Sequence, residues 1–140
     1  MPPAPTIRQF QVPDAPQVVE LWLSIFAYPT PHNRPELAIQ NKLAFQPELF
    51  FVAAEGDRIL GTVMGGYDGH RGWIYSMAVN QAARRKGIGS ALVRHLEAEL
   101  RKLNCGKVNL QILVHNEEVV AFYEALGYHV EPRISMGKIL

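Results

Sequence analysis

The chain lacks several features that would assign it to a broad class of protein. Its 140 residues include one cysteine, Cys105, so no disulfide can form within the chain. Lys and Arg total 14 and Asp and Glu total 13, and a formal charge of +1 gives no overall field that would attract nucleic acid or an anionic membrane. The sequence has no apolar run of membrane-spanning length and no charged-then-apolar leader. We therefore expect a cytoplasmic protein without nucleic-acid or membrane partners.

Metal and nucleotide motifs are also missing. No pair of histidines or carboxylates has the spacing of metal ligands, so we expect no metal. Residues 87–92, with the sequence GIGSAL, lack the third glycine of the dinucleotide-binding fingerprint. Lys86 precedes these glycines, whereas the lysine of a P-loop follows its last glycine. Neither nucleotide fold is therefore expected.

The chain does contain enough apolar residues, 48% of the total, to bury one core, and we predict a single domain over residues 1–140. Alternating and helical apolar patterns predict strands at 6–11, 49–55, 59–67, 73–80 and 107–114, and helices at 13–27, 35–45, 87–103 and 117–126. Gly56-Asp57-Arg58 predicts a three-residue hairpin connection, 28–34 a surface loop, Gly127 a helix cap, and the tail short strands. The expected fold is α/β with a mixed, largely antiparallel sheet and about four helices.

The segment 76–92, with the sequence SMAVNQAARRKGIGSAL, predicts a site for an anion. An apolar strand there leads through a basic, glycine-bearing turn into a helix. Backbone N–H groups at a helix start lack intrahelical partners and lie at the positive end of the helix dipole. Gly87 and Gly89 would let an anion approach this backbone closely, and Arg84, Arg85 and Lys86 add positive charge.

Two sequence motifs of this chain resemble those of the GNAT family of acyl-CoA-dependent N-acetyltransferases. The family signature Arg/Gln-x-x-Gly-x-Gly/Ala matches RRKGIG at residues 84–89, and Asn116 is followed seven positions later by Tyr123 within FYEALGY. The order of predicted elements over nearly the whole chain also resembles the family, in which two central strands splay apart. Together these features are more specific than either motif alone.

The resemblance implies an enzyme that moves the acetyl group of acetyl-CoA directly to a primary amine of a small molecule or protein. The pyrophosphate of acetyl-CoA would rest on the turn and helix start, and pantetheine would lie along the strand, with Asn116 helping to hold it. A backbone N–H near Met77 would polarise the thioester carbonyl, and Tyr123 would protonate the leaving thiolate. The implied cofactor-binding residues are Met77, Ala78, Val79, Arg84, Arg85, Lys86, Gly87, Ile88, Gly89, Ser90 and Asn116.

The acceptor side of the reaction is left open by the sequence. An ammonium with a pKa of about 10.4 needs a base or a water relay at neutral pH. Four residues are candidates for that base: His32, Asp68, His70 and Tyr75. The amine substrate is of unknown class, and the protein is expected to be a monomer or a homodimer. A non-enzymatic module that binds or senses acyl-CoA is the alternative function.

Overall fold

The computed structural model describes residues 5–28 and 33–140. Its strands are β1 (Thr6–Gln9), β2 (Phe50–Glu55), β3 (Arg58–Tyr67), β4 (Gly72–Val79) and β5 (Val108–Asn109), and its helices are α1 (Ala15–Ile25), α2 (Pro35–Ala44), α3 (Ile88–Lys102) and α4 (Glu117–Ala125). The strands follow chain order across one sheet, antiparallel from β1 to β4 and parallel between β4 and β5. The prediction of a mixed, largely antiparallel α/β fold with four helices is confirmed.

The chain divides into two compact units, Met1–Leu110 and Gln111–Leu140. The first unit contains β1 to β5 and α1 to α3, and the second contains α4. The prediction of a single domain over the whole chain stays a prediction. Residues 29–32 of the predicted surface loop, including the candidate base His32, lie outside the described residues.

Two of the predicted strand assignments are wrong. The strand predicted at 107–114 ends at Asn109, and residues 128–140 of the described tail contain no strand. Leu113 and Ile134 are 83% and 92% exposed, so the apolar residues that favoured a strand are not buried on a sheet face. Because strand preference depends mainly on packing of the pleated surface, composition alone overestimated these strands.

The hairpin between β2 and β3 is tighter than predicted. Glu55 pairs with Arg58, which leaves a two-residue connection instead of three. Gly56 has φ 59°, and a residue without Cβ adopts this left-handed conformation readily. The glycine therefore sets the turn, and Arg58 joins the strand.

Glycines allow α3 to pack closely on one face of the sheet. A Cβ at Gly65 would lie 2.3 Å from Leu96 Cδ1, and one at Gly72 would lie 3.0 Å from Leu100 Cδ1. The opposite face packs against α1 and α2 in a core that includes Trp22 and Phe50, whose ring centroids are 5.8 Å apart. The sheet thus separates α3 from α1 and α2.

Helix α2 buries a lysine that its sequence pattern does not single out. Leu37 and Leu43 are 39% and 38% exposed, whereas Lys42 is nine-tenths buried and its Nζ donates a hydrogen bond to Gly65 O. Burial lowers the pKa of Lys42 to about 8, although the charge of Glu48 opposes this change. The ammonium therefore joins α2 to β3 at a cost in desolvation.

This burial predicts a specific pH dependence of stability. The pKa of Lys42 is about 8 in the folded chain and about 10.4 in the unfolded chain, so between these values the unfolded chain binds more protons. The free energy of unfolding of the wild type, relative to Lys42→Met, should rise from pH 7 to pH 10 by an amount on the order of 2 kcal/mol. Urea unfolding at four pH values measures it. Lys102→Met at an exposed position is the control, and a constant difference for Lys42→Met would contradict the prediction.

Candidate functional site

Strand β4 carries a β-bulge at its centre. Thr62 pairs with Ala78 and Met64 pairs with Tyr75, so Val63 of β3 faces two residues of β4, Ser76 and Met77. Ser76 has φ 49°, a left-handed conformation that costs a non-glycine residue roughly 1–2 kcal/mol. Bulges of this kind redirect backbone groups and are common beside active sites.

Two hydrogen bonds, one buried and one partly buried, connect this bulge to the core. Trp22 Nε1 donates to Thr62 Oγ1 at 2.8 Å, and Thr62 Oγ1 donates to Ser76 O at 2.8 Å. Trp22 and Thr62 are both fully buried. The sequence analysis missed this pair, and the signal that could have found it is one hydroxyl within the otherwise apolar strand sequence ILGTVM.

One edge of β4 is unpaired along most of its length. β5 pairs with β4 at Gly72 and Trp73, and within the described residues this ladder goes no further because β5 ends at Asn109. Backbone groups of β4 beyond Trp73 are therefore not engaged by a strand on that side. Met77 and Val79, expected to hold pantetheine, are half-buried, and Ala78 between them is buried.

The predicted anion site is a turn followed by the start of α3. Arg85 has φ 65° and Gly87 has φ 78°, and residues in this conformation help to form backbone concavities that accept anions. The first bond of the helix runs from Ala91 N to Gly87 O at 3.0 Å, so the N–H groups of Ile88, Gly89 and Ser90 have no intrahelical acceptor.

The charged residues of this turn are exposed, whereas the helix start is not. Arg84, Arg85 and Lys86 are exposed, and Ile88 and Gly89 are buried. The three cations are thus accessible from solvent, whereas the first residues of the helix are packed in the fold. We call the backbone from Arg84 to Ser90 the anion cradle.

In the second unit, Asn116 caps α4 and Tyr123 lies within it. Asn116 precedes the helix, and its Oδ1 accepts a long hydrogen bond, 3.4 Å, from the Val119 N–H as an N-cap. Tyr123 is buried, with its ring edge-on to Phe122 and Tyr128, and burial raises its pKa to about 12. Its phenol therefore stays protonated throughout the neutral pH range.

The predicted cap at Gly127 is confirmed. Gly127 has φ 97°, its N–H donates to Glu124 O at 3.0 Å, and the Tyr128 N–H donates to Tyr123 O at 3.0 Å. These are the two bonds of a Schellman motif, which satisfies carbonyls at a helix end. The cap fixes where the helix that carries Tyr123 stops.

Three of the four candidates for the general base, Asp68, His70 and Tyr75, lie within the described residues. Asp68 accepts N–H bonds from His70 and Arg71 at 2.8 and 2.7 Å, and these bonds hold the pKa of its carboxyl below the usual value. Asp68 and His70 lie in the turn before β4, about 15 Å along the strand from Met77. Tyr75 is next to the bulge and half exposed, but burial raises the pKa of its phenol. Neither pKa direction favours a base at neutral pH.

A polar cavity of about 350 Å³ lies beside α1 and the end of β4. Its walls include Glu20 and Ser24 of α1, Arg58 of β3, and Asn80 and Gln81 after β4.

In residues 5–28 and 33–140, no group of three or more metal-binding side chains comes together. Nor does any helix in these ranges have the length and apolarity needed to cross a membrane.

A family model and several known proteins are similar to this chain in sequence or in fold. The model of the acetyltransferase (GNAT) family matches residues 15–128. An acetyltransferase of Yersinia enterocolitica, YE1169, is 41% identical over 134 residues, covering 96% of this chain and 94% of that protein. Ard1 from Thermoplasma volcanium has a TM-score of 0.81 at 28% identity, covering 92% of this chain and 85% of its own.

A PaiA N-acetyltransferase from Thermoplasma acidophilum, solved in complex with coenzyme A, shares the fold. Its TM-score is 0.80 at 16% identity, and the match covers 94% of both chains. The two motifs, the mixed sheet and these likenesses agree with one another. The chain therefore belongs to the GNAT family of acetyltransferases.

Proposed function

We propose that this acetyltransferase moves the acetyl group of acetyl-CoA directly to a primary amine. The observation that carries the proposal is the continuous segment from β4 to α3, which holds a bulged strand with one unpaired edge and then the anion cradle. A ligand with a thioester at one end and a pyrophosphate further along would need both. Coenzyme A bound to the PaiA protein of the same fold supports this choice of ligand.

The cradle is assigned to the pyrophosphate on chemical grounds. Unpaired N–H groups at Ile88, Gly89 and Ser90 donate hydrogen bonds, and the dipole of α3 favours negative charge at that end. Residues 84–86 add three exposed cations. Because these cations are exposed, their part of the binding energy should be modest and sensitive to salt.

The reacting carbonyl is assigned to the bulge. As the amine nitrogen forms a bond to the thioester carbon, negative charge develops on the carbonyl oxygen, and the Met77 N–H would donate a hydrogen bond to it. The carbon–sulfur bond then breaks and coenzyme A leaves as a thiolate. One proton must leave the nitrogen and one must reach the sulfur, so the reaction is balanced without an oxidant or a metal.

Tyr123 is proposed as the group that gives a proton to the thiolate. Its pKa of about 12 exceeds that of a thiol, near 8.5, so transfer to sulfur alone would be uphill by about 5 kcal/mol. The phenol therefore serves best when it passes its proton to sulfur while the proton from the amine replaces it. The ammonium must still lose its first proton to water or to a base before the nitrogen attacks.

Neutralising the cradle should weaken cofactor binding. Changing Arg84, Arg85 and Lys86 together to Gln should raise the Kd for acetyl-CoA about tenfold at low salt, since three exposed charges are worth roughly 1.4 kcal/mol together. Calorimetry at two salt concentrations measures the loss, which should shrink as salt rises. The control removes three exposed cations further along α3, through Arg94→Gln, Arg101→Gln and Lys102→Gln. Equal weakening by both triple variants would contradict the assignment.

Removing the phenol should slow turnover and spare binding. Tyr123→Phe should lower kcat about 100-fold, in the range of a lost proton donor, with the Kd for acetyl-CoA within about twofold of wild type. Because the pKa of the Tyr123 phenol is about 12, its titration should not lower the kcat of the wild type below pH 10. The pH profiles of kcat for the wild type and for Tyr123→Phe should therefore have the same shape below pH 10. Tyr128→Phe, which removes the phenol packed edge-on against Tyr123, is the control. Unchanged turnover in Tyr123→Phe would reject its role.

A panel of amines tests the function itself. Release of coenzyme A thiol from acetyl-CoA should be accelerated by at least one of a polyamine, an aminoglycoside, free lysine and a peptide with a free N-terminus. Mass spectrometry should find 42 Da added to that amine, about the mass of one acetyl group replacing one hydrogen. Tight binding of acetyl-CoA without acetylation of any amine would favour a binding or sensing module instead.

A further inference from the structure

The chain of hydrogen bonds from Trp22 through Thr62 to Ser76 has a direction that chemistry alone determines. An indole N–H can only donate, so Thr62 Oγ1 must be the acceptor of the bond from Trp22 Nε1, which is 2.8 Å long. A backbone carbonyl can only accept, so the Thr62 hydroxyl must donate its single hydrogen to Ser76 O, also at 2.8 Å. Exchange of these roles is impossible, and the hydroxyl has one orientation.

The orientation of Ser76 O determines that of the Met77 N–H. The two groups belong to the same peptide unit, which is planar and trans, with no cis bond among the described residues. In a trans peptide the C=O and N–H point in opposite directions. A hydrogen bond that holds the Ser76 carbonyl toward Thr62 therefore holds the Met77 N–H facing the opposite way.

The bulge needs such a restraint. Ser76 has φ 49° without being glycine, and the ladder with β3 is interrupted at this point. A strained residue in an interrupted ladder would otherwise relax toward ordinary strand geometry and rotate the peptide. Trp22 and Thr62 are fully buried, so water cannot compete for their polar groups.

We propose that Thr62 and Trp22 are positioning residues for catalysis, which fix the direction of the Met77 N–H toward the thioester carbonyl. The inference rests on the proposed acetyl transfer from acetyl-CoA. Neither residue touches the reacting atoms in this proposal; both act through the Ser76–Met77 peptide. Their role is distinct from that of the cradle, which holds the other end of the same ligand.

Variants at Thr62 separate positioning from packing. Thr62→Val keeps the shape and removes the hydroxyl, so kcat should fall about tenfold or more, a smaller loss than complete removal of an oxyanion donor, while KM for acetyl-CoA stays within about twofold. Thr62→Ser keeps the hydroxyl and should restore most of kcat. Leu100→Ala, a core truncation near the end of α3 where it packs on Gly72, controls for lost stability, which thermal unfolding measures for every variant.

A second readout does not depend on turnover. The chain has four methionines, so ¹⁵N-methionine labelling gives a sparse spectrum in which Met77→Leu identifies the Met77 amide. Adding acetyl-CoA should shift this signal more than adding coenzyme A, because only acetyl-CoA carries the carbonyl. The extra shift should persist in Thr62→Ser and be lost in Thr62→Val.

The possible outcomes distinguish this inference from the proposed function. Wild-type kcat and an unchanged Met77 response in Thr62→Val would overturn the positioning role while acetyl transfer stands. A Met77 amide in the wild type that ignores acetyl-CoA, with no amine of the panel acetylated, would overturn both. If Thr62→Val does not fold, Trp22→Phe decides: it leaves the Thr62 hydroxyl without its fixed orientation, kcat should fall severalfold, and wild-type kcat would overturn the inference.

Discussion

The geometry of the bulge in β4 depends on one buried hydroxyl. Thr62 accepts from Trp22 on α1 and donates to Ser76 on β4, so it joins a helix, the central strand and the bulge. The side chains of Trp22 and Thr62 are fully buried, and a missing partner there would leave a polar group unsatisfied at a cost of about 1–3 kcal/mol. This network opposes the strain of a left-handed serine and gives the bulge one geometry.

The rest of the first unit arranges the groups proposed to bind acetyl-CoA around that bulge. Strand β4 is paired with β3 on one edge and with β5 over just two residues on the other, within the described chain. It then leads through the anion cradle into α3, which packs tightly because Gly65 and Gly72 leave room for leucines. The bulge and the cradle are therefore joined by a short segment of the chain. Such a frame suits a long ligand whose two ends must be held at once.

Local chemistry made much of this predictable from sequence. The residue types at positions 84–89 are typical of a turn followed by the start of a helix. The meander and the Gly127 cap are predicted from alternating apolar residues and from turn residues. The bulge is different, because it arises from the register between two strands. Trp22 and Thr62 are 40 residues apart, and no local pattern pairs them. The burial of Lys42 in place of Leu37 and Leu43 likewise depends on what α2 meets in the fold.

The measurement that tests the central claim most directly is the distance between the Met77 backbone nitrogen and the thioester oxygen in a crystal of the protein with acetyl-CoA. We predict a hydrogen bond of about 2.7–3.2 Å, with the pyrophosphate on the backbone N–H groups of the cradle. An acetyl group directed away from the bulge, or a pyrophosphate bound elsewhere than the start of α3, would contradict the account.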